Sequence, residues 1–135
     1  MTNCGCRKLS CTLVAAIAAI IIGIVAGFLQ ITGAITVTPA LLWAALAAAV
    51  VYLAVLTVVT GLAPVGGCKL CMRTALNTVL AGILGTVLFA VILLAVGIVA
   101  TSVISAILVG LLAAAATLTL AGAACLVRCM SDCES

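Results

Sequence analysis

Cysteine thiols are the side chains with the greatest capacity for chemistry in this sequence. The chain has eight cysteines and no histidine among its 135 residues. They cluster in three segments, residues 1–11, 63–71 and 125–135, and they are Cys4, Cys6, Cys11, Cys68, Cys71, Cys125, Cys129 and Cys133. Thiols grouped in this way form disulfides, bind metal ions or carry out dithiol redox chemistry.

Disulfide cross-linking is the first of these uses. Cys125, Cys129 and Cys133 recur every four residues and lie on one face if the last helix extends that far. Cysteines one turn apart on a helix have parallel Cβ directions, so they pair more readily with another segment. We therefore predict bridges among all eight cysteines, within a chain or between copies, each adding about 2–4 kcal/mol.

Metal binding and redox chemistry are the alternatives. Cys68 and Cys71 form a Cys-x-x-Cys pair, and Cys125 with Cys129, or Cys4 with the nearby Cys6, would complete a four-thiolate zinc or iron–sulfur site. A dithiol redox site centred on Cys71 is a third use. The disulfide interpretation needs no cofactor, whereas the metal alternative needs zinc or an iron–sulfur cluster.

The composition is far more apolar than that of a soluble domain, and it determines which elements hold the cysteines. Hydrophobic residues make up 69% of the chain and charged residues 5%, against about 45–50% and about 25% in soluble domains. Residues 75–126 contain no charged side chain. A single helix of that length would extend ~80 Å, far beyond the ~30 Å bilayer core, so the segment must fold back on itself. Lipid or other copies of the chain must cover the surface.

These patterns predict an all-α fold, a hydrophobic four-helix bundle of the transmembrane type made of two helical hairpins in one domain. The first apolar run follows Arg7 and Lys8 as a signal peptide would, but it is too long for a signal core and we expect a retained helix. Thr38 and Pro39 mark a helix start. The predicted helices are at about 12–30, 39–62, 72–100 and 102–128.

Small residues on these helices recur at intervals that place them on one face. Such faces let the backbones of neighbouring membrane helices approach closely. The predicted packing positions are Ala15, Ala19, Gly23, Gly27, Gly82, Ala106 and Gly110.

Four spans would place both termini and the 63–71 loop on the same side of a membrane. Those segments and the first turn of the third helix contain every charged residue and every cysteine of the chain. The positive-inside tendency predicts that this side, and both termini, face the cytoplasm.

Several classes of function are disfavoured. The predicted helix interiors contain no ionisable acid or base of the kind that transporters and channels place at membrane depth. The only carboxylates are Asp132 and Glu134 in the tail, so a general base is lacking and we expect neither an enzyme nor a small-molecule substrate. Five scattered basic residues and 3% aromatic residues do not make a nucleic-acid surface.

The layout also carries a resemblance. A cysteine-rich head, a hairpin, a Gly-Gly-Cys-x-x-Cys loop, a second hairpin and a terminal Cys-Leu-Val-Arg-Cys resemble uncharacterised small hydrophobic cysteine-rich proteins of endospore-forming bacteria. The resemblance implies a spore or envelope component, made in the mother cell without a signal peptide and oxidised after release. That history gives a second localisation, an extracellular or spore-surface polymer.

The sequence therefore favours a non-enzymatic, self-assembling structural subunit whose copies are joined through cysteines on one face. Its expected partners are copies of itself and lipid. The alternative is a multi-pass membrane metal–thiolate or redox protein facing the cytoplasm.

Overall fold

The structure, a computed structural model, consists of four long α-helices. It describes residues 4–62, 69–97 and 102–134, with side chains for 11–58, 72–97 and 102–131. Within these ranges there is no strand. The predicted all-α four-helix fold is confirmed. The helices are α1 (Cys4–Ile31), α2 (Pro39–Leu62), α3 (Lys69–Val96) and α4 (Val103–Glu134).

Each helix contains a stretch long and apolar enough to cross a membrane, for which about 20 residues suffice. Large apolar side chains point away from the bundle, and Ile24 and Phe28 are 68% and 67% exposed. Exposing such side chains to water costs free energy, whereas contact with lipid does not. The candidate spans are Cys11–Ile31, Pro39–Val58, Met72–Val96 and Val103–Ser131.

Four helix ends differ by more than one residue from the sequence-based bounds. Helix α1 begins at Cys4 rather than at about residue 12, and α4 continues to Glu134 rather than ending near residue 128. Neither extension contains a proline, so the helices run on through the polar cysteine segments. Helix α3 begins at Lys69 rather than at about residue 72. It ends at Val96 rather than at about residue 100, because Gly97 adopts a φ of +78° and its N–H donates to the carbonyl of Leu93.

The connection between α1 and α2 shows ordinary helix-terminating and helix-starting chemistry. Gly33, just after α1, has a φ of +71°, a conformation that favours glycine. Helix α2 begins at Pro39, whose missing N–H costs nothing at the first helical position. The carbonyl of Thr38 accepts the N–H of Leu41 at 3.0 Å, so Thr38 occupies the cap position.

Helix α4 is the centre of the bundle. It packs against α1 on one side and α3 on the other, while α2 packs against α3. In the described part of the chain α1 and α2 make no contact, so the first predicted hairpin is not a packed pair. The order across the bundle is α1, α4, α3, α2, and the helix nearest the N-terminus lies against the helix nearest the C-terminus.

Two hydrophobic clusters of the core lie between α2, α3 and α4. One contains Leu42 of α2 with Leu93 of α3, and the other contains Leu56 of α2 with Ala75 of α3. These pairings make α2 and α3 antiparallel. Among the α2 side chains that the structure describes, up to residue 58, the buried ones are Leu42, Ala49 and Leu56. They recur every seven residues, so this part of α2 is attached along one narrow stripe.

Candidate functional site

Backbone contact between α1 and α4 positions the first candidate site. A Cβ built on Gly23 would lie 2.8 Å from the carbonyl oxygen of Gly110, and one built on Gly110 would lie 2.7 Å from that of Gly23. A Cβ on Gly27 would lie 3.1 Å from the carbonyl oxygen of Ala106. Gly27 follows Gly23 on α1, whereas Ala106 precedes Gly110 on α4, so the two helices are antiparallel. Only glycine permits this approach at Gly23 and Gly110.

The small face of α1 continues from this contact towards the start of the helix. Ala19 and Ala15 precede Gly23 at steps of four and are buried, at 5% and 3% exposed. The next step of four reaches Cys11. Cys11 forms a disulfide with Cys125 of α4, and their Cα atoms are 6.2 Å apart, within the usual range for a disulfide.

This disulfide ties the two ends of the chain together. It joins residues 114 positions apart in sequence and links the first part of α1 to the last part of α4. Cys125 is buried, at 8% exposed. The end of the bundle where α1 and α3 begin and α4 ends, which we call the cysteine end, therefore carries a covalent bond between neighbouring helices.

Cys129 lies one turn beyond Cys125 on α4 and is also disulfide-bonded. Side-chain placement for the other five cysteines falls outside the described residues; they are Cys4, Cys6, Cys68, Cys71 and Cys133. A sulfur in a disulfide is not a thiolate, so in this oxidised state Cys125 and Cys129 do not supply metal ligands. The described residues contain no group of three or more metal-binding side chains. The four-thiolate site stays a prediction that applies to the reduced chain.

The interface between α3 and α4 is built in the same way and brings Gly82 into contact with α4. A Cβ on Gly82 would lie 2.9 Å from the backbone nitrogen of Thr119 and 3.1 Å from the carbonyl oxygen of Ala115. The hydroxyl of Thr119 donates to that carbonyl at 2.9 Å, and the hydroxyl of Thr86 donates to the carbonyl of Gly82 at 2.8 Å. These hydroxyls are therefore satisfied within their own helices and do not offer donors to a ligand.

No protein-family model, curated protein or solved structure matches this chain. The resemblance to cysteine-rich proteins of endospore-forming bacteria stays a prediction.

A half-open cavity of about 210 Å³ lies between α2, α3 and α4. Because the two threonine hydroxyls in its wall donate to their own helices, the lining offers hydrocarbon and one phenol, that of Tyr52. Such a lining offers few polar groups that could orient a polar substrate. The residues that define it include Ala45, Ala49, Tyr52, Ile83, Thr86 and Thr119.

Gln30 is a buried polar residue near the end of α1 that the sequence analysis did not single out. It is 2% exposed, and its Oε1 atom has no hydrogen-bond partner among the described residues. Its spacing was a usable signal, because Gln30 follows Gly27 by three residues and Gly23 by seven and therefore shares their face. The structure thus places an amide where the sequence pattern otherwise places small side chains.

Replacing Gln30 by leucine is expected to leave the free energy of unfolding unchanged or to raise it, by up to about 2 kcal/mol. A buried, unpaired carbonyl costs about 1–3 kcal/mol, and leucine removes it while filling similar space. Unfolding in detergent, followed by circular dichroism, measures the change. Gln30→Ala removes the same carbonyl but leaves a cavity, so it should be less stable than Gln30→Leu. A loss above about 1 kcal/mol in Gln30→Leu would show that the amide makes a stabilising contact.

Proposed function

We propose that this chain is a non-enzymatic structural subunit that self-assembles in a membrane, with its copies joined by disulfides at the cysteine end. The observation that carries the proposal is that Cys125 and Cys129, one turn apart at that end of α4, are both oxidised. It supports disulfide chemistry at the cysteine end, where bonds between copies would use other cysteines. A cysteine held in a disulfide to a neighbouring helix fixes structure. It is not available as a nucleophile until it is reduced.

The membrane spans support the same proposal. The sequence has no charged residue between Lys8 and Lys69 or between Arg73 and Arg128. Groups that hold or pass ions and polar substrates at membrane depth are usually ionisable, so the spans are poorly suited to transport. What they offer is close packing through small residues, which is the main source of association between helices in lipid.

The proposed location of the cysteine end rests on the disulfides rather than on the charge pattern. Disulfides rarely persist in the cytosol, whereas the positive-inside tendency rests here on five basic residues. We place the cysteine end in an oxidising environment, either across the membrane from the cytoplasm or in an assembly that has left the cell that made it. A spore or envelope location comes from the sequence resemblance alone.

Gel electrophoresis of membranes treated with N-ethylmaleimide before solubilisation tests the proposal. We expect a ladder of dimers and larger species without reductant, and monomer alone after reduction, because interchain disulfides survive detergent. A chain with all eight cysteines changed to serine should run as monomer in both lanes. Monomer in both lanes for the unaltered chain would rule out covalent assembly.

The same experiment reports which side the cysteines face. A reductant that does not cross membranes, applied to intact cells, should collapse the ladder if the cysteine end faces outward. If the ladder collapses only after the membrane is permeabilised, the proposed outward orientation is wrong.

A further inference from the structure

We infer that Cys71 and Cys129 form a second internal disulfide, which ties α3 to α4 as Cys11–Cys125 ties α1 to α4. Cys129 is disulfide-bonded and Cys125 is taken by Cys11. The side chain of Cys71 lies outside the described part of the chain, but the backbone of α3 is described from Lys69. The position of Cys71 along α3 and around it is therefore set.

The packing of α3 on α4 gives the register. A Cβ on Gly85 would lie 3.1 Å from the Cβ of Ala115, and a Cβ on Gly122 would lie 3.5 Å from Cγ2 of Thr78. Moving from the first contact to the second goes back seven residues on α3 and forward seven on α4. The two helices are thus antiparallel and level with each other at both contacts.

The next pair in this series is Cys71 and Cys129. Cys71 precedes Thr78 by seven residues, and Cys129 follows Gly122 by seven. Seven residues return a helix to within about 20° of the same face and advance it ~10.5 Å. Equal steps in opposite directions keep the two positions level, so Cys71 and Cys129 occupy facing positions of a close interface, as a disulfide requires.

The intervening turn supports this extrapolation. Ala75 of α3 and Leu126 of α4 belong to the same buried cluster, and they lie between the Thr78–Gly122 contact and the two cysteines. The close packing of α3 on α4 therefore continues to within one turn of Cys71 and Cys129. Cys133 is a poor partner for Cys129, because it follows four residues later on the same helix with a parallel Cβ direction.

The bond forms by oxidation of two thiols. The thiols of Cys71 and Cys129 lose two protons and two electrons as the S–S bond forms. A small-molecule or protein disulfide accepts them by thiol–disulfide exchange, its own S–S bond breaks, and it leaves as two thiols.

Two internal bonds would divide the eight cysteines into two groups. Cys11, Cys125, Cys71 and Cys129 would fasten α4 to both of its neighbours at the cysteine end. If the chain is a cross-linked subunit as proposed, the bonds between copies fall on the remaining four, which are Cys4, Cys6, Cys68 and Cys133. This allocation rests on the proposed function, whereas the Cys71–Cys129 bond does not.

Tryptic mapping of the alkylated, unreduced monomer tests the bond directly. Cleavage after lysine and arginine isolates Cys71 in residues 70–73 and places Cys129 in residues 129–135, together with Cys133. Mass spectrometry should find these two short peptides disulfide-linked and should lose the pair after reduction. The link should survive in Cys133→Ser and disappear in Cys129→Ser.

Several results would overturn the inference. They are residues 129–135 of the Cys133→Ser chain linked to residues 1–7 or 9–69, a bond closed within residues 129–135 of the unaltered chain, or residues 70–73 alkylated at Cys71 in the oxidised monomer. A chain that is only monomeric on gels but still yields the linked pair would keep the inference and remove the proposed interchain assembly.

Discussion

Replacing Gly110 by valine is expected to separate α1 from α4 and to lower the free energy of unfolding by about 3 kcal/mol. The new Cβ would meet the carbonyl oxygen of Gly23 at 2.7 Å, a distance that real Cβ atoms essentially never show. The obstructing atom is backbone, so it does not rotate away as a side chain would, and the helices must move apart. Excess volume in a packed interface costs about 1–3 kcal/mol and sometimes more. Unfolding of the reduced protein in detergent measures the change without the disulfide holding α1 in place.

Ala124→Val is the matched control for Gly110→Val. It places the same side chain on the same helix, at an exposed position. We expect its free energy of unfolding to stay within about 0.5 kcal/mol of the unaltered chain. Similar effects of the two substitutions would contradict the described contact between α1 and α4.

Loss of the Cys11–Cys125 bond is the second large effect. Cys11→Ser is expected to lower the free energy of unfolding by about 2–4 kcal/mol under oxidising conditions. The bond closes a loop spanning 114 residues, and a long loop loses much conformational freedom in the unfolded chain when it is closed. Unfolding in detergent, with and without reductant, measures the difference.

Two comparisons make the Cys11→Ser result specific. Cys125→Ser should show the same loss, since either change removes the same bond. With reductant present, Cys11→Ser and the unaltered chain should unfold alike, because both then lack the disulfide. Equal stability of the two chains under oxidising conditions would mean that the bond contributes nothing to the folded state.

The glycine contact and the disulfide act on one interface at separate places. Gly23 and Cys11 are twelve residues apart on α1, which corresponds to ~18 Å along the helix. Effects at sites more than about 7–10 Å apart usually add. Gly110→Val combined with Cys11→Ser should therefore approach the sum of the two losses under oxidising conditions. The first change removes close packing and the second removes a constraint on the unfolded chain.

Some features of this protein follow from local sequence. Hydropathy over residues 75–126 required two helices there, and Thr38 with Pro39 located the start of α2, since capping and proline geometry act within a few residues. The start of α1 and the end of α4 were harder to predict from the sequence. No proline interrupts their polar ends, and residues that end a hydrophobic span need not end a helix.

The choice of neighbours was decided by the tertiary structure. Small residues occur on all four helices, so the pattern identified Gly23 and Gly110 as packing positions without saying that they face each other. Their contact depends on two backbones that approach from opposite ends of the chain. That approach places α1 on α4 rather than on α2.

The sequence by itself determined a chain of four apolar helices with all its cysteines in three segments, because hydropathy and helix periodicity are local properties. Only the tertiary structure decided that Cys11 meets Cys125, that Cys129 is bonded and that α4 lies between α1 and α3. A disulfide needs two Cα atoms within about 7 Å, and that distance is set by helix packing rather than by spacing along the chain.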